Sequence, residues 1–295
     1  MPHSIVTSLH KNLISGHREE PVPSTGPPVH ACVICTEEVS TDLQQLLPTV
    51  GWYTDLTIHL VCDAATAKIA RQLAQKLDMV DRVHCLPWLN KQTLDEANKR
   101  LSAIKHQNDY WKPGPIWWKL EGTRRVLEML NGQSCMLLDS DIVFCNEFRG
   151  QSFQHADAIF SPFFWPDPDL NVPPMPGDPD RVHISQRDGV LNAGYAWITK
   201  PDVMALWLEL YEAGIGGFYE QYIMGYIGQK FCTDWFNVQH NFGQWRNQTP
   251  PPNTISLHIH ATTKHFKPSA LAVQERATLS ALQCTRWIRE RSLGC

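Results

Sequence analysis

Between His30 and Phe144 the chain alternates short apolar runs with longer stretches whose apolar residues recur every three or four positions, and this leaves few folds open. The runs His30–Cys35, Leu56–Val61 and Arg82–Leu86 read as strands. Asp63 is placed to cap a helix whose apolar face carries Ile69, Leu73 and Leu77. Thr93 and Glu96 have capping-box spacing ahead of a helix with Leu94, Ala97, Leu101 and Ile104 on one face. A third helix is expected from about Pro115 to Leu130, stopped by Asn131-Gly132. The last run, Cys135–Leu138, leads directly into Asp139-Ser140-Asp141 and then Ile142-Val143-Phe144. Alternating strands and helices predict an α/β fold: a Rossmann-like, mainly parallel sheet with helices on both faces, in a single domain with an irregular second half.

Such sheets bind ligands beyond the carboxyl ends of their strands, and Asp139 and Asp141 lie at such an end. Carboxylates two residues apart on extended chain project to the same side. They are hard oxygen donors, matched to Mn²⁺ or Mg²⁺ rather than zinc. An ion held there can grip a diphosphate and neutralise the charge it gains on leaving. Taken alone, the pair reads equally well as a solvated turn.

The 295 residues carry a net charge of −4, which argues against coating nucleic acid through bulk positive charge. Apolar residues make up 43% of the chain, enough for a substantial core. Nine cysteines are scattered, several inside apolar runs, as expected of reduced thiols in the cytoplasm. Cys32 and Cys35 form a C-x-x-C, but positions three apart on a strand face opposite sides, which disfavours zinc or redox chemistry. No apolar run is long enough to span a membrane, and the first twenty residues lack the continuous apolar stretch of a secretory leader. Residues 1–28, with four prolines near their end, read as an irregular arm. Residues 29–295 read as the folded domain, in two halves, 29–145 and 146–295. In the second half, a Pro- and Asp-rich stretch over 161–188, with Trp165 in it, reads as a functional loop. Helices are expected from Pro201 to Ala213, closed by Gly214, and from Phe218 to Lys230.

Four segments recur in a recognisable order: Cys35-Thr36 at the end of the first strand; Asp139-Ser140-Asp141; Leu191-Asn192-Ala193-Gly194; and His258-Ile259-His260-Ala261-Thr262-Thr263-Lys264. Together they resemble the GT-A-fold glycosyltransferases, especially the retaining group that includes glycogenin and the bacterial lipopolysaccharide galactosyltransferases. The resemblance spans roughly residues 30–268 through short motifs. It implies a metal ion, Mn²⁺ or Mg²⁺, held by Asp139, Asp141 and His258, and a UDP-sugar donor, UDP-glucose or UDP-galactose. It places Thr36 beside the base, and Ser140 with the two acids around the nucleotide. It sets Asn192 and Gly194 beside the donor sugar, and Lys264 on the diphosphate. His258 and Lys264 match the family's His-x-x-Gly-x-x-Lys, with Ala261 standing where the family has Gly. Glu220-Gln221 resembles an Asp-Gln pair at the reacting centre, and Lys119 a basic donor contact, with Arg124 and Arg125 as competitors for that role.

The implied reaction is hexosyl transfer to an acceptor hydroxyl with retention at the anomeric carbon. The acceptor is left open among a glycan, a lipid-linked sugar, a protein, a small molecule and a modified nucleobase. Two other readings compete. Asp139-Ser140-Asp141-Ile142-Val143 also fits the start of haloacid-dehalogenase-like phosphatases, in which Asp139 would be the nucleophile. A non-catalytic sugar-nucleotide-binding protein is the other.

Overall fold

The computed structural model describes residues 29–102, 113–148, 153, 155–162, 191–214, 220–237, 239–243 and 253–258. The arm 1–28, the loop residues 163–190 with Trp165, and the segment from Ile259 onward, with Ala261 and Lys264, lie outside these.

Seven strands make up the main sheet: β1 (Val29–Cys35), β2 (Leu56–Cys62), β3 (Val83–Leu86), β4 (Cys135–Leu138), β6 (Ala158–Pro162), β7 (Leu191–Ile198) and β8 (Thr233–Trp235). They lie in the order β3-β2-β1-β4-β7-β6-β8. β3, β2, β1 and β4 are mutually parallel, and β8 is parallel to β6. β7 is antiparallel to both β4 and β6. A second, three-stranded sheet joins β5 (Ile142–Phe144), β10 (Ser256–His258) and β9 (Phe242–Gly243).

Helices cover both faces. On one side α1 (Leu43–Tyr53) contributes Leu43, Leu46, Leu47 and Val50, and α2 (Ala64–Lys76) contributes Ala67, Ala70 and Leu73, to a core shared with Val29, Ala31, Val33 and Cys35 of β1. On the other, α3 (Lys91–Ser102), α4 (Pro113–Met129) and α5 (Pro201–Glu212) pack with Cys32, Cys135, Leu137 and Ala196. Central strands buried on both faces must be apolar at nearly every position, which is why β7 is buried along its whole length. Cys32 and Cys35 fall in different cores, so the C-x-x-C cannot chelate one ion. Among the tryptophans, Trp118, Trp197 and Trp207 are core residues.

Several local expectations change. The pattern between the first two strands marks no element, yet a 3-10 helix (Glu37–Asp42) and α1 occupy it. Pro48, inside α1, interrupts the residue preferences that reveal a helix. Asp63 does cap α2, accepting from the Thr66 amide at 2.8 Å. The start of α3 lies earlier than the Thr93/Glu96 box: Asn90 Oδ1 accepts the Thr93 amide at 2.9 Å, and Thr93 Oγ1 accepts the Asn90 amide at 3.0 Å. Asn90 therefore plays the capping part, and Thr93 answers it. The Phe218–Lys230 helix is broken; its described part is a 3-10 turn (Glu220–Ile223) followed by α6 (Met224–Ile227). Asn131 and Gly132, both at positive φ, end α4 as expected.

The path of the chain matters for the site. From β1 it moves outward through β2 and β3, then returns to β4 on the other side of β1. The carboxyl ends of β1 and β4 therefore border the crevice where such a sheet reverses its winding. Thr36 follows one strand and Asp139 the other.

Candidate active site

The Asp139-Ser140-Asp141 turn is pinned on two sides. The Asp139 amide donates to Gly194 O at 2.8 Å, and Ser140 Oγ donates to Asp42 Oδ2 at 3.1 Å. The chain then turns into β5, and β10 pairs antiparallel with it in a register that sets His258 opposite Ile142. Strand pairing thus delivers a residue from far along the chain to the acids. His258 Nε2 lies 3.0 Å from Asp141 Oδ1 and 3.7 Å from Asp139 Oδ2. One ligand atom from each of the three residues falls within 4.8 Å of the others. Two carboxylates and an imidazole form a donor set that fits Mn²⁺ or Mg²⁺. His258 Nδ1 is engaged by Asn241 Oδ1 at 3.2 Å, so Nε2 is the nitrogen facing the acids.

Gly194 forms the floor of this cluster. A Cβ built there would press on Asp139 Oδ2 and lie 2.6 Å from His258 Cε1. Only a residue without a side chain lets β7 pass this close. Beside it, Asn192 is buried, and its Oδ1 accepts both the Gly194 amide, at 2.9 Å, and Asn241 Nδ2, at 3.1 Å. Gln221 Oε1 accepts the Ala193 amide at 3.3 Å, tying the turn before α6 to the same strand.

Of the three basic candidates on α4, Lys119 is the one that reaches the acids. Its Nζ donates to Asp139 Oδ1 at 2.7 Å and to Glu220 Oε1 at 3.0 Å. Arg124 and Arg125 pair with Glu121 instead. Glu220 is buried, and its backbone oxygen accepts from Trp207 Nε1 at 2.9 Å. Thr36 is half-buried at the end of β1 and begins the 3-10 turn that carries Asp42.

The charges follow from this packing. Burial lowers the affinity of Lys119 for its proton, but the Asp139 and Glu220 carboxylates outweigh it and hold the ammonium above its usual range. Burial likewise works against a charged His258, and Asp141 and then Asp139 more than compensate, so its pKa is raised. Asp42 is pushed up to about 7 by burial and by the Asp141 charge. Two residues of this neighbourhood carry no sequence signal that marks them. Asp42 lies in a 3-10 turn with no motif around it. Asn241 occupies a left-handed conformation (φ 50) just before β9, inside a segment with no readable periodicity. Ala261 and Lys264, expected to close the site, lie outside the described residues.

No protein-family model matches the sequence, and no curated protein matches it. Solved structures do. Apo xyloside xylosyltransferase 1 from mouse superposes with a TM-score of 0.50 over 78% of this chain and 97% of its own, at 11% identity. The glycosyltransferase GlyE of Streptococcus pneumoniae superposes with a TM-score of 0.51 over 90% of this chain, at 10% identity. The match spans 64% of the length of GlyE. The fold is of the GT-A type. At these identities the likeness concerns architecture, and the chemistry must be argued from the residues of this chain.

Proposed function

We propose that the protein is a glycosyltransferase that moves a hexose from a nucleoside diphosphate sugar, UDP-glucose or UDP-galactose, to an acceptor hydroxyl with retention. The observation that carries this reading is the convergence of Asp139, Asp141, His258 and Lys119 at the crevice beside β4, in a sheet shared with glycosyltransferases. Residues 29–295 would form the transferase domain and 1–28 its arm. Cys32, Cys35, Cys62, Cys85, Cys135 and Cys232 are thiols, which suits a cytoplasmic setting. Among the described residues no helix is long and apolar enough to cross a membrane.

Asp139, Asp141 and His258 would hold Mn²⁺ or Mg²⁺, with Ser140 and Thr36 lining the nucleotide. When bound, a divalent ion supplies a Lewis acid for the departing diphosphate. Lys119 keeps a permanent positive charge beside Asp139, and Lys264 is assigned to the diphosphate as a second cation. Both charges count most as the sugar–phosphate bond breaks, because negative charge then collects on the leaving oxygens. The acceptor oxygen bonds to the anomeric carbon on the face the phosphate leaves, and its proton passes to the departing phosphate oxygen. Glu220, held by the Lys119 ammonium, is assigned to supporting positive charge on the sugar ring. Gln221 and Gly194 keep β7 against the metal position.

The phosphatase reading has no comparable support. The strand that leads into Asp139 comes fourth in the chain, and Asp139 is tied to Lys119.

The test is a screen of nucleotide sugars, UDP-xylose included, for Mn²⁺-dependent release of UDP, repeated with Asp141→Ala. Release that requires both the metal and Asp141 is expected. Turnover without metal, or full activity in the variant, would reject the reading, and phosphate release from simple esters would reinstate the phosphatase.

A further inference from the structure

Asn241 is fully buried, and every polar group of its side chain has a partner in the structure. The orientation of its amide can be worked out from one unambiguous donor. The Gly194 backbone N–H can only donate, so the Asn192 atom facing it at 2.9 Å is the oxygen. That same oxygen faces Asn241 at 3.1 Å, so Asn241 presents its NH₂ there. The second proton of this NH₂ points to Ser161 Oγ at 3.0 Å. Asn241 Oδ1 is left to face His258 Nδ1 at 3.2 Å, and an oxygen there demands that Nδ1 carry the proton. In the neutral imidazole the lone pair then belongs to Nε2, the nitrogen turned toward Asp139 and Asp141.

We propose that Asn192 and Asn241 are positioning residues: a side-chain relay that starts at the Gly194 amide, sets His258 in its Nδ1–H tautomer, and aims Nε2 at the metal position. The use of the relay, aiming Nε2 at a metal, rests on the reading of His258 as a ligand; the tautomer it sets does not. It joins β7, the start of β9 and β10, so the two strands that close the site are coupled through one amide. Ser161 sits where the β6–β7 register shifts, between Phe160 and Ser161, which brings its hydroxyl to Asn241. The Asn241 backbone N–H donates to Ser256 Oγ at 3.0 Å, which holds the left-handed backbone in place. Partners behind a ligating histidine orient its ring, and removing them weakens metal binding by roughly 10–100-fold.

The experiment has two readouts on the same proteins. The first is ¹⁵N NMR of histidine-labelled, metal-free protein at alkaline pH, which reports the tautomer of His258. The second is calorimetric titration with Mn²⁺ alone. Wild type is expected to hold a single Nδ1–H tautomer. Asn241→Leu is expected to populate both tautomers and to bind Mn²⁺ about 10–100-fold more weakly. Asn241→Asp keeps an acceptor for Nδ1–H and is expected to retain the wild-type tautomer. Asn192→Ala frees the Asn241 amide to turn over and provides a second disruption should Asn241→Leu fail to fold. A single Nδ1–H tautomer in both Asn241→Leu and Asn192→Ala overturns the relay. Wild-type protein with the expected tautomer but no affinity for Mn²⁺ leaves the relay standing and overturns the metal reading.

Discussion

Lys119 on α4 and Asp139 at the end of β4 are joined by an ion pair of 2.7 Å, and the same ammonium holds Glu220 at 3.0 Å. The Lys119 side chain is 12% exposed and that of Glu220 only 6%, so solvent screens this pair poorly. The charge assigned to the proposed reaction and the charge that holds this part of the fold are thus carried by one residue.

Removing the ammonium strands a buried carboxylate. Lys119→Met is expected to lower stability by about 3–5 kcal/mol, the usual cost of breaking a buried pair by deleting one partner. The double variant Lys119→Met/Glu220→Gln should regain most of that loss, because the stranded charge is gone. Urea unfolding of both proteins checks this; a single variant as stable as wild type would show that the pair contributes nothing.

Gly194→Ala tests the floor of the cluster. The added Cβ must displace Asp139 or His258, since it has no room between them. Mn²⁺ affinity should fall steeply, and transfer should drop by about 100-fold or more on the scale that misplacing a reacting constellation by an ångström produces. Mn²⁺ calorimetry beside a thermal melt separates a lost site from a lost fold. Unchanged affinity would mean that β7 can retreat without cost.

Asp42 makes the metal-free protein sensitive to pH. Its folded pKa of about 7 lies above the ordinary carboxylate value, so the folded state binds the extra proton between those limits. Stability from this group is therefore present at low pH and is lost as pH rises through about 7. Asp42→Asn should stabilise the metal-free protein on the order of 2 kcal/mol at pH 8 and not at all near pH 4. Urea midpoints across that range decide it; a gain independent of pH would rule the carboxylate out as the cause.

His59 acts with the opposite sign. Burial first, and then the nearby His30 and His84, lower its pKa to about 4, below the value in an unfolded chain. Its Nε2 meets His30 Nδ1 at 3.0 Å, and His30 Nε2 meets Gln133 Oε1 at 2.6 Å. The unfolded state binds more protons below about pH 6.5, so stability should fall as pH drops from there toward 4. His240, also lowered to about 4 by burial, adds to the same loss. His59→Gln should flatten the acid limb of the stability profile. An unchanged limb would assign the acid sensitivity elsewhere.

Much of the fold is legible in the chain because its signals are local. A strand buried on both faces must be apolar at successive positions, and a helix on a sheet must be apolar every three or four. Those rules mark β1 to β4, α2 and α4, and place Asp139 and Asp141 at a strand end. They miss α1, where Pro48 breaks the pattern, and the three-residue strands of the small sheet, which are too short to show a period.

The site divides along the same line. Which residues are able to bind a hard cation is a property of their side chains and is written in the chain itself: two carboxylates two residues apart and an imidazole in a later motif. Their meeting is not. It depends on the pairing of β10 with β5, on a glycine that leaves room for Asp139, and on an asparagine amide oriented by hydrogen bonds from three separate strands. Contacts between residues more than a hundred positions apart are set by packing and strand register, and no local pattern encodes those.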